Sequence, residues 1–205
     1  EYLNINEPLD LYLTSVDLKL FMDMYEIIYI DYIDGYKFQA RYNMFNEYID
    51  KWNNVKMEAS KSGNKGLRTI AKLLLNNIYG KLATSTKTTR KIPYLKEDGV
   101  VGYKTEDDEV RKPVYTACAS FITAHARDLT IRSAVSCLDL FIYADTDSLH
   151  ICDIGKKPNI DIDDVKLGYF KLESTPVRGR FLRAKTYIEE IYDEKTKSYI
   201  LDVKC

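Results

Sequence analysis

Tyr143-Ala144-Asp145-Thr146-Asp147-Ser148 lies between two short apolar runs. Leu138 to Ala144 (Leu-Asp-Leu-Phe-Ile-Tyr-Ala) reads as a buried strand, and Leu149-His150-Ile151-Cys152 reads as a second. Asp145 and Asp147 therefore fall at or beside the tip of a tight hairpin. Two like charges one residue apart repel each other unless a cation sits between or above them. Hard Mg²⁺ takes a few carboxylates and completes its shell with substrate phosphate oxygens. The stretch reads as half of a phosphate-handling metal site, with a plain acidic turn as the alternative.

Upstream, Lys65 to about Leu82 has helical spacing. At about 100° per residue, Arg68, Lys72, Asn76 and Tyr79 fall within about 80° of one another. Leu67, Ile70, Ala71, Leu74 and Ile78 cluster on the other side and are the expected packing face. Two cations four residues apart disfavour a helix slightly unless an anion joins them, and a triphosphate is such an anion. Tyr79 offers a flat face for a base or sugar. Gly80 allows close approach of a backbone or base pair.

Charge is concentrated on the same part of the chain. Lys51 to Lys91 holds ten Lys or Arg against one acid, Glu58, a net of +9 in a chain whose total is -1. A basic segment beside an acidic body suits a polyanionic ligand; a solvated basic helix pair is the alternative. The 205 residues, 45% of them hydrophobic, suffice for one or two modest cores. No run is long enough to span a membrane and no signal peptide is evident, so the expectation is a soluble, cytoplasmic protein. Cys118, Cys137, Cys152 and Cys205 lack zinc-finger spacing and read as reduced thiols, mostly filling the core. The chain begins at Glu1 in mid-pattern and reads as a piece of a larger protein.

Further elements follow from caps, turns and periodicity. Ser15 is a plausible N-cap for a helix running to Tyr25. Ile27 to Ile33, Asp34-Gly35 and Tyr36 to Phe38 read as a β-hairpin. Met44 to about Lys61 reads as a helix broken at Ser62-Gly63-Asn64. Ile92 to Leu95 and Gly102 to Lys104 flank an Asp98-Gly99 turn in a projecting hairpin, and residues 106–109 read as a solvated loop. Ala117 to Cys137 is a long helix, with β segments expected near Gly168–Phe170, Thr186–Ile191 and Tyr199–Val203. Residues 159–164 read as a charged linker.

Lys72-x3-Asn76-x2-Tyr79-Gly80 followed by Tyr143-x-Asp145-Thr-Asp147-Ser148 resembles motifs B and C of the family B DNA polymerases. Ile92-Pro-Tyr-Leu-Lys-Glu-Asp-Gly99, Pro113-Val-Tyr-Thr116, Phe121-Ile-Thr-Ala-His-Ala-Arg127, Leu167-Gly-Tyr-Phe170 with Glu173, and Leu182-Arg-Ala-Lys-Thr-Tyr-Ile188 come in the order found in protein-primed bacteriophage replicases. The resemblance implies an α+β fold: an antiparallel palm sheet with packed helices, a two-helix fingers segment and a projecting β-hairpin insertion. It implies four regions: 1–40, the end of a first terminal-protein insertion; 41–82, fingers; 83–112, a second terminal-protein insertion; and 113–205, a palm without motif A.

By the same resemblance the activity is template-directed DNA synthesis by two-metal nucleotidyl transfer, using Mg²⁺ with Mn²⁺ able to substitute. Asp145 and Asp147 are the implied catalytic metal ligands, with Glu173 as a further candidate whose alternative is a surface acid. Arg68, Lys72, Asn76, Tyr79 and, more loosely, Lys56 would bind the incoming nucleotide. Lys185, Tyr187, Thr123, Arg127 and Gly80 would contact DNA. On a strand Lys185 and Tyr187 would face one side, and Arg127 sits one helical turn past Thr123. Asn77 stands where the family usually has Ser. The implied partners are DNA primer-template, dNTPs and a terminal protein acting as primer, in a host cytoplasm. His125 and His150 read as structural. Two alternatives stay open: a fragment that binds DNA or terminal protein without catalysis, and an Asp-x-Asp glycosyltransferase, which would not need the Arg68/Lys72/Asn76/Tyr79 stripe.

Overall fold

A computed structural model of the chain describes residues 8–106, 109–112, 114–152, 154–164 and 166–204. The elements run α1 (Ser15–Met24), α2 (Asn46–Lys61), α3 (Lys65–Leu82), β1 (Lys87–Thr88), β2 (Lys91–Leu95), β3 (Val101–Thr105), β4 (Glu109–Val110), α4 (Thr116–Ser136), β5 (Phe141–Asp145), β6 (Ser148–Ile151), β7 (Arg178–Arg183), β8 (Thr186–Asp193) and β9 (Ser198–Lys204). Every pairing between these strands is antiparallel, so the class is the expected mix of helices and open antiparallel sheets. The chain forms two compact units. The first holds Glu1–Thr14 and Met22–Thr123, and the second holds Ser15–Phe21 and Ala124–Cys205.

The first unit is built on the α2–α3 pair. Gly63 takes φ +71° at the break, and the Asn64 side chain accepts the Leu67 N–H at 3.0 Å, capping α3. Ala59 and Ala71 are fully buried on the two helices, small residues that let the backbones approach. The Tyr48 hydroxyl donates to the Leu74 carbonyl at 3.0 Å and ties α2 to α3. Leu67 and Ile70 depart from the expected packing face, being 40% and 53% exposed. A helix with one neighbour buries only a narrow stripe, and that stripe is centred on Ala71, Ile78 and Leu82.

β2 and β3 form the expected hairpin, with Ile92 opposite Lys104 and Leu95 opposite Val101. Asp98 accepts the Val100 N–H at 3.0 Å, and Gly99 supplies φ +78°. β1 pairs with β4 in a second step of the same hairpin. Glu109, expected in a loop, opens β4; Asp107 and Asp108 lie outside the described residues, as do residues 1–7, Pro113 and Cys205. The hairpin expected over Ile27–Phe38 does not form. Ile28, Tyr29 and Tyr36 are strongly exposed, and a two-stranded ribbon with no face to bury is marginal in water. The segment is irregular, with Asp34 closing on the Gly35 N–H at 2.7 Å and Phe38 edge-on to Phe121 at 6.5 Å.

In the second unit, β5 and β6 pair with Tyr143 opposite His150 and Asp145 opposite Ser148. β7, β8 and β9 form a separate three-stranded sheet with β8 in the middle. Phe181 faces Tyr187 across β7–β8, and Tyr192 meets Tyr199 across β8–β9 at 5.2 Å. β7 has no counterpart among the sequence expectations, and the strand expected at Gly168–Phe170 shrinks to one bridge between Ile162 and Phe170. Leu20, Ala124, Cys137 and Leu140 are buried. Among the cysteines, Cys137 is a core filler, Cys118 is half-buried and Cys152 is exposed, so the expected core role holds only in part. No helix of the described residues is long and apolar enough to cross a membrane.

Candidate active site

Strand β5 carries Asp145 to its end, and Thr146 and Asp147 make the turn into β6. Thr146 has φ +55°, and the Asp147 N–H closes on the Asp145 carbonyl at 2.6 Å. That is the bond pattern of a γ-turn, a tight and strained form. A β-branched residue in the left-handed region costs about 1–3 kcal/mol and persists only where its surroundings impose it. Here the Ser148 hydroxyl also donates to the Asp145 carbonyl at 3.0 Å, and buried Thr130 on α4 donates to the Thr146 carbonyl at 3.4 Å. The turn thrusts Asp147 into solvent while Asp145 stays half-buried.

Lys185 reaches this tip from the β7–β8 turn. Its ammonium donates to Asp145 Oδ1 at 2.6 Å and to Thr146 Oγ1 at 3.3 Å. Its backbone N–H donates to the Tyr143 hydroxyl at 2.8 Å. The Lys185 hydrogen bond, helped by the Thr146 hydroxyl, outweighs the upward push of burial and holds the Asp145 carboxyl below the usual range. The same bond raises the Lys185 ammonium above its ordinary value. Lys185 does not lie on a strand, as the sequence reading had it: it sits in the turn at φ +59°, and β8 begins at Thr186. Lys185 and Tyr187 therefore do not share one strand face. Tyr187 turns inward, and burial pushes its phenol up.

Tyr143, His150, Phe181 and Tyr187 form a block in which every pair of ring centroids lies 5.0–5.5 Å apart. Each hairpin supplies one cross-strand ring pair. Beside the block, His150 Nδ1 lies 2.9 Å from Glu189 Oε1, and Glu189 is 4% exposed. Sequence reasoning read His150 as structural and quoted Tyr143 only as part of its motif; it missed Phe181 and Glu189. One signal was available for Glu189: on β8 it shares a face with Tyr187 and Ile191, and a carboxylate there needs a partner.

Of the other expected residues, Arg127 gives its guanidinium to Asp17 on α1 through Nε at 3.0 Å and Nη2 at 2.8 Å, and remains half exposed. The Thr123 hydroxyl, one turn earlier on α4, donates to the Ala119 carbonyl. Glu173 is exposed in the irregular segment before β7. Among the described residues no three His, Cys, Asp or Glu side chains gather, so Glu173 does not join the pair. In the first unit, Arg68, Lys72, Asn76 and Tyr79 form an exposed stripe on α3, and Lys56 is half-buried on α2. A Cβ at Gly80 would meet nothing within 4 Å, so that surface is open to a ligand.

Two carboxylates one residue apart in the chain, one already bonded to an ammonium, are hard oxygen donors. They suit a divalent ion that draws its remaining ligands from phosphate and water.

Residues 2–164 match the family described as DNA polymerase type B, organellar and viral. The chain belongs to that family. It is 46% identical over 188 residues to the DNA polymerase of Bacillus phage Nf, covering 91% of this chain and 32% of that protein. It is 40% identical over 206 residues to the DNA polymerase of Bacillus phage phi29, covering 98% and 35%. The phi29 DNA polymerase solved with primer-template DNA and incoming nucleotide substrates superposes with a TM-score of 0.86 at 40% identity, over 98% of this chain and 36% of that one. The fold is thus that of the type B polymerases, and the chain spans about a third of the length of the curated relatives it matches.

Proposed function

We propose that this chain supplies the fingers, a projecting hairpin and a palm surface to a protein-primed, DNA-directed DNA polymerase. Residues 41–82 are the fingers, 83–112 a terminal-protein insertion and 113–205 palm, with 1–40 belonging to a first insertion. The observation that carries the reading is the strained Asp145–Thr146–Asp147 turn with Lys185 on its first carboxylate. Membership in the type B polymerases supports it.

Asp145 and Asp147 would hold divalent metal, Mg²⁺ by preference with Mn²⁺ as substitute. When bound, such ions lower the pKa of an attacking hydroxyl and neutralise the charge on a leaving pyrophosphate. This chain's residues do the rest. Thr130 and Ser148 hold the turn that carries both carboxylates. Lys185 bonds Asp145 and, at the tip, would be the cation available to a primer phosphate. Arg68 and Lys72, with Lys56 behind them, bind the triphosphate; Asn76 and Tyr79 face the base and sugar. Gly80 and Thr123 in the first unit, and the face of Arg127 that Asp17 leaves open in the second, would each contact DNA, with Tyr187 contributing the exposed part of its ring. The partners are then primer-template DNA, dNTPs and a terminal protein, in the cytoplasm of a host cell.

The test is Asp147→Ala in a polymerase carrying this chain. Nucleotide addition should fall by about 10²–10³-fold, the scale set by losing a preorganised electrostatic group, while primer-template affinity stays close to native. Turnover near the native rate overturns the reading.

A further inference from the structure

Resting on that reading, we propose that Glu189 and His150 are positioning residues that set the Lys185–Asp145 contact through the four-ring block. Neither touches Asp145 or Asp147 through a hydrogen bond. Glu189 is among the most buried polar groups in the unit. A carboxylate at that depth is costly, and an apolar residue of similar size would pack at least as well. What the carboxylate adds is direction. It accepts from His150 Nδ1 at 2.9 Å, which fixes the tautomer and the plane of the imidazole.

The imidazole plane matters because the ring stands edge-on to both Phe181 and Tyr187 at 5.0 Å. Phe181 in turn stacks on Tyr143 at 5.0 Å with a 27° interplanar angle. Edge-to-face and offset contacts are orientation-sensitive, so turning one ring moves the others. The Tyr143 hydroxyl leaves the block toward the β7–β8 turn and accepts the Lys185 N–H at 2.8 Å. Lys185 occupies φ +59°, a conformation that persists only when its surroundings over-determine it. That backbone placement delivers the ammonium to Asp145 Oδ1 at 2.6 Å. Buried Glu189 on β8 and half-buried His150 on β6 thereby govern a contact at the hairpin tip, and their effect on turnover must pass through Lys185.

The experiment is a cycle of variants in a polymerase carrying this chain, read as the single-turnover rate of nucleotide addition at saturating primer-template. Glu189→Leu should slow the step roughly tenfold, the scale of losing an outer-shell partner. In a Lys185→Met background the same change should cost less than about twofold, because coupled residues are not additive. Glu189→Gln, whose amide oxygen still accepts from Nδ1–H, should keep most of the native rate. If Glu189→Leu fails to fold, the double variant His150→Phe/Glu189→Leu removes both polar groups while keeping the ring packing. Such paired apolar replacement is close to neutral for stability, and the same background-dependent loss is expected of it. An equal fold-loss in both backgrounds, or a native rate in the double variant, overturns the inference while leaving Asp147 as the test of the catalytic reading. Turnover surviving Asp147→Ala overturns both.

Discussion

Asp145 and Lys185 illustrate how one short contact shifts the titration of both its partners. Lys185 bonds Asp145 at 2.6 Å and depresses its titration. A carboxyl with a lowered folded pKa contributes stability above its unfolded value of about 3.9, and loses it as pH falls through the folded value. The pair therefore favours the native state at neutral pH and releases that contribution only in strong acid. Lys185→Met should move the Asp145 titration up toward about 3.9, followed by carboxyl ¹³C shifts; an unmoved titration would mean the ammonium does not hold the carboxylate in solution. At this scale the sequence spoke unevenly. The spacing of Asp145 and Asp147 announced a turn with two carboxylates. The left-handed Lys185 was hidden, since a lysine gives none of the signals that a glycine gives at such a position. The His150–Glu189 pair joins residues 39 apart, beyond the reach of any local pattern.

Among elements, α3 was the most legible, because a cap, a periodic face and a glycine break agree. Asn64 does the capping, and Asn64→Ala should cost about 1 kcal/mol in chemical denaturation, with little change if water replaces the cap freely. Leu67 and Ile70 looked inward only because the pattern does not say how many neighbours a helix has. β7 was illegible for a related reason: Arg178, Arg180 and Arg183 interrupt its apolar residues on an exposed edge strand. Ile27–Phe38 failed the other way, its alternation and Asp-Gly turn being unsupported by anything to bury against. The β2–β3 hairpin with its β1–β4 step has mostly exposed strands. If it encloses template and product, deleting residues 87–110 should shorten products made in a single binding event and abolish strand displacement. Unchanged product lengths would assign it another role.

Across the whole molecule, charge and chemistry are divided. The basic segment lies in the first unit and the acidic hairpin in the second. DNA affinity should therefore fall steeply with salt, with a log–log slope of about -0.7 to -0.9 per phosphate neutralised. Titration of labelled primer-template at several salt concentrations measures it, and salt-independent binding would remove the basic segment from the interface. Metal binding should instead depend on the hairpin, as half of its site, and not on the basic segment. The most direct measurement replaces Mg²⁺ with Fe²⁺ in the complex of a polymerase carrying this chain with primer-template, and maps hydroxyl-radical cleavage of the backbone. Cleavage should centre on Tyr143 to Ser148 and vanish in Asp147→Ala. Cleavage centred on another acidic stretch, with the hairpin left intact, would contradict the assignment of Asp145 and Asp147 as metal ligands.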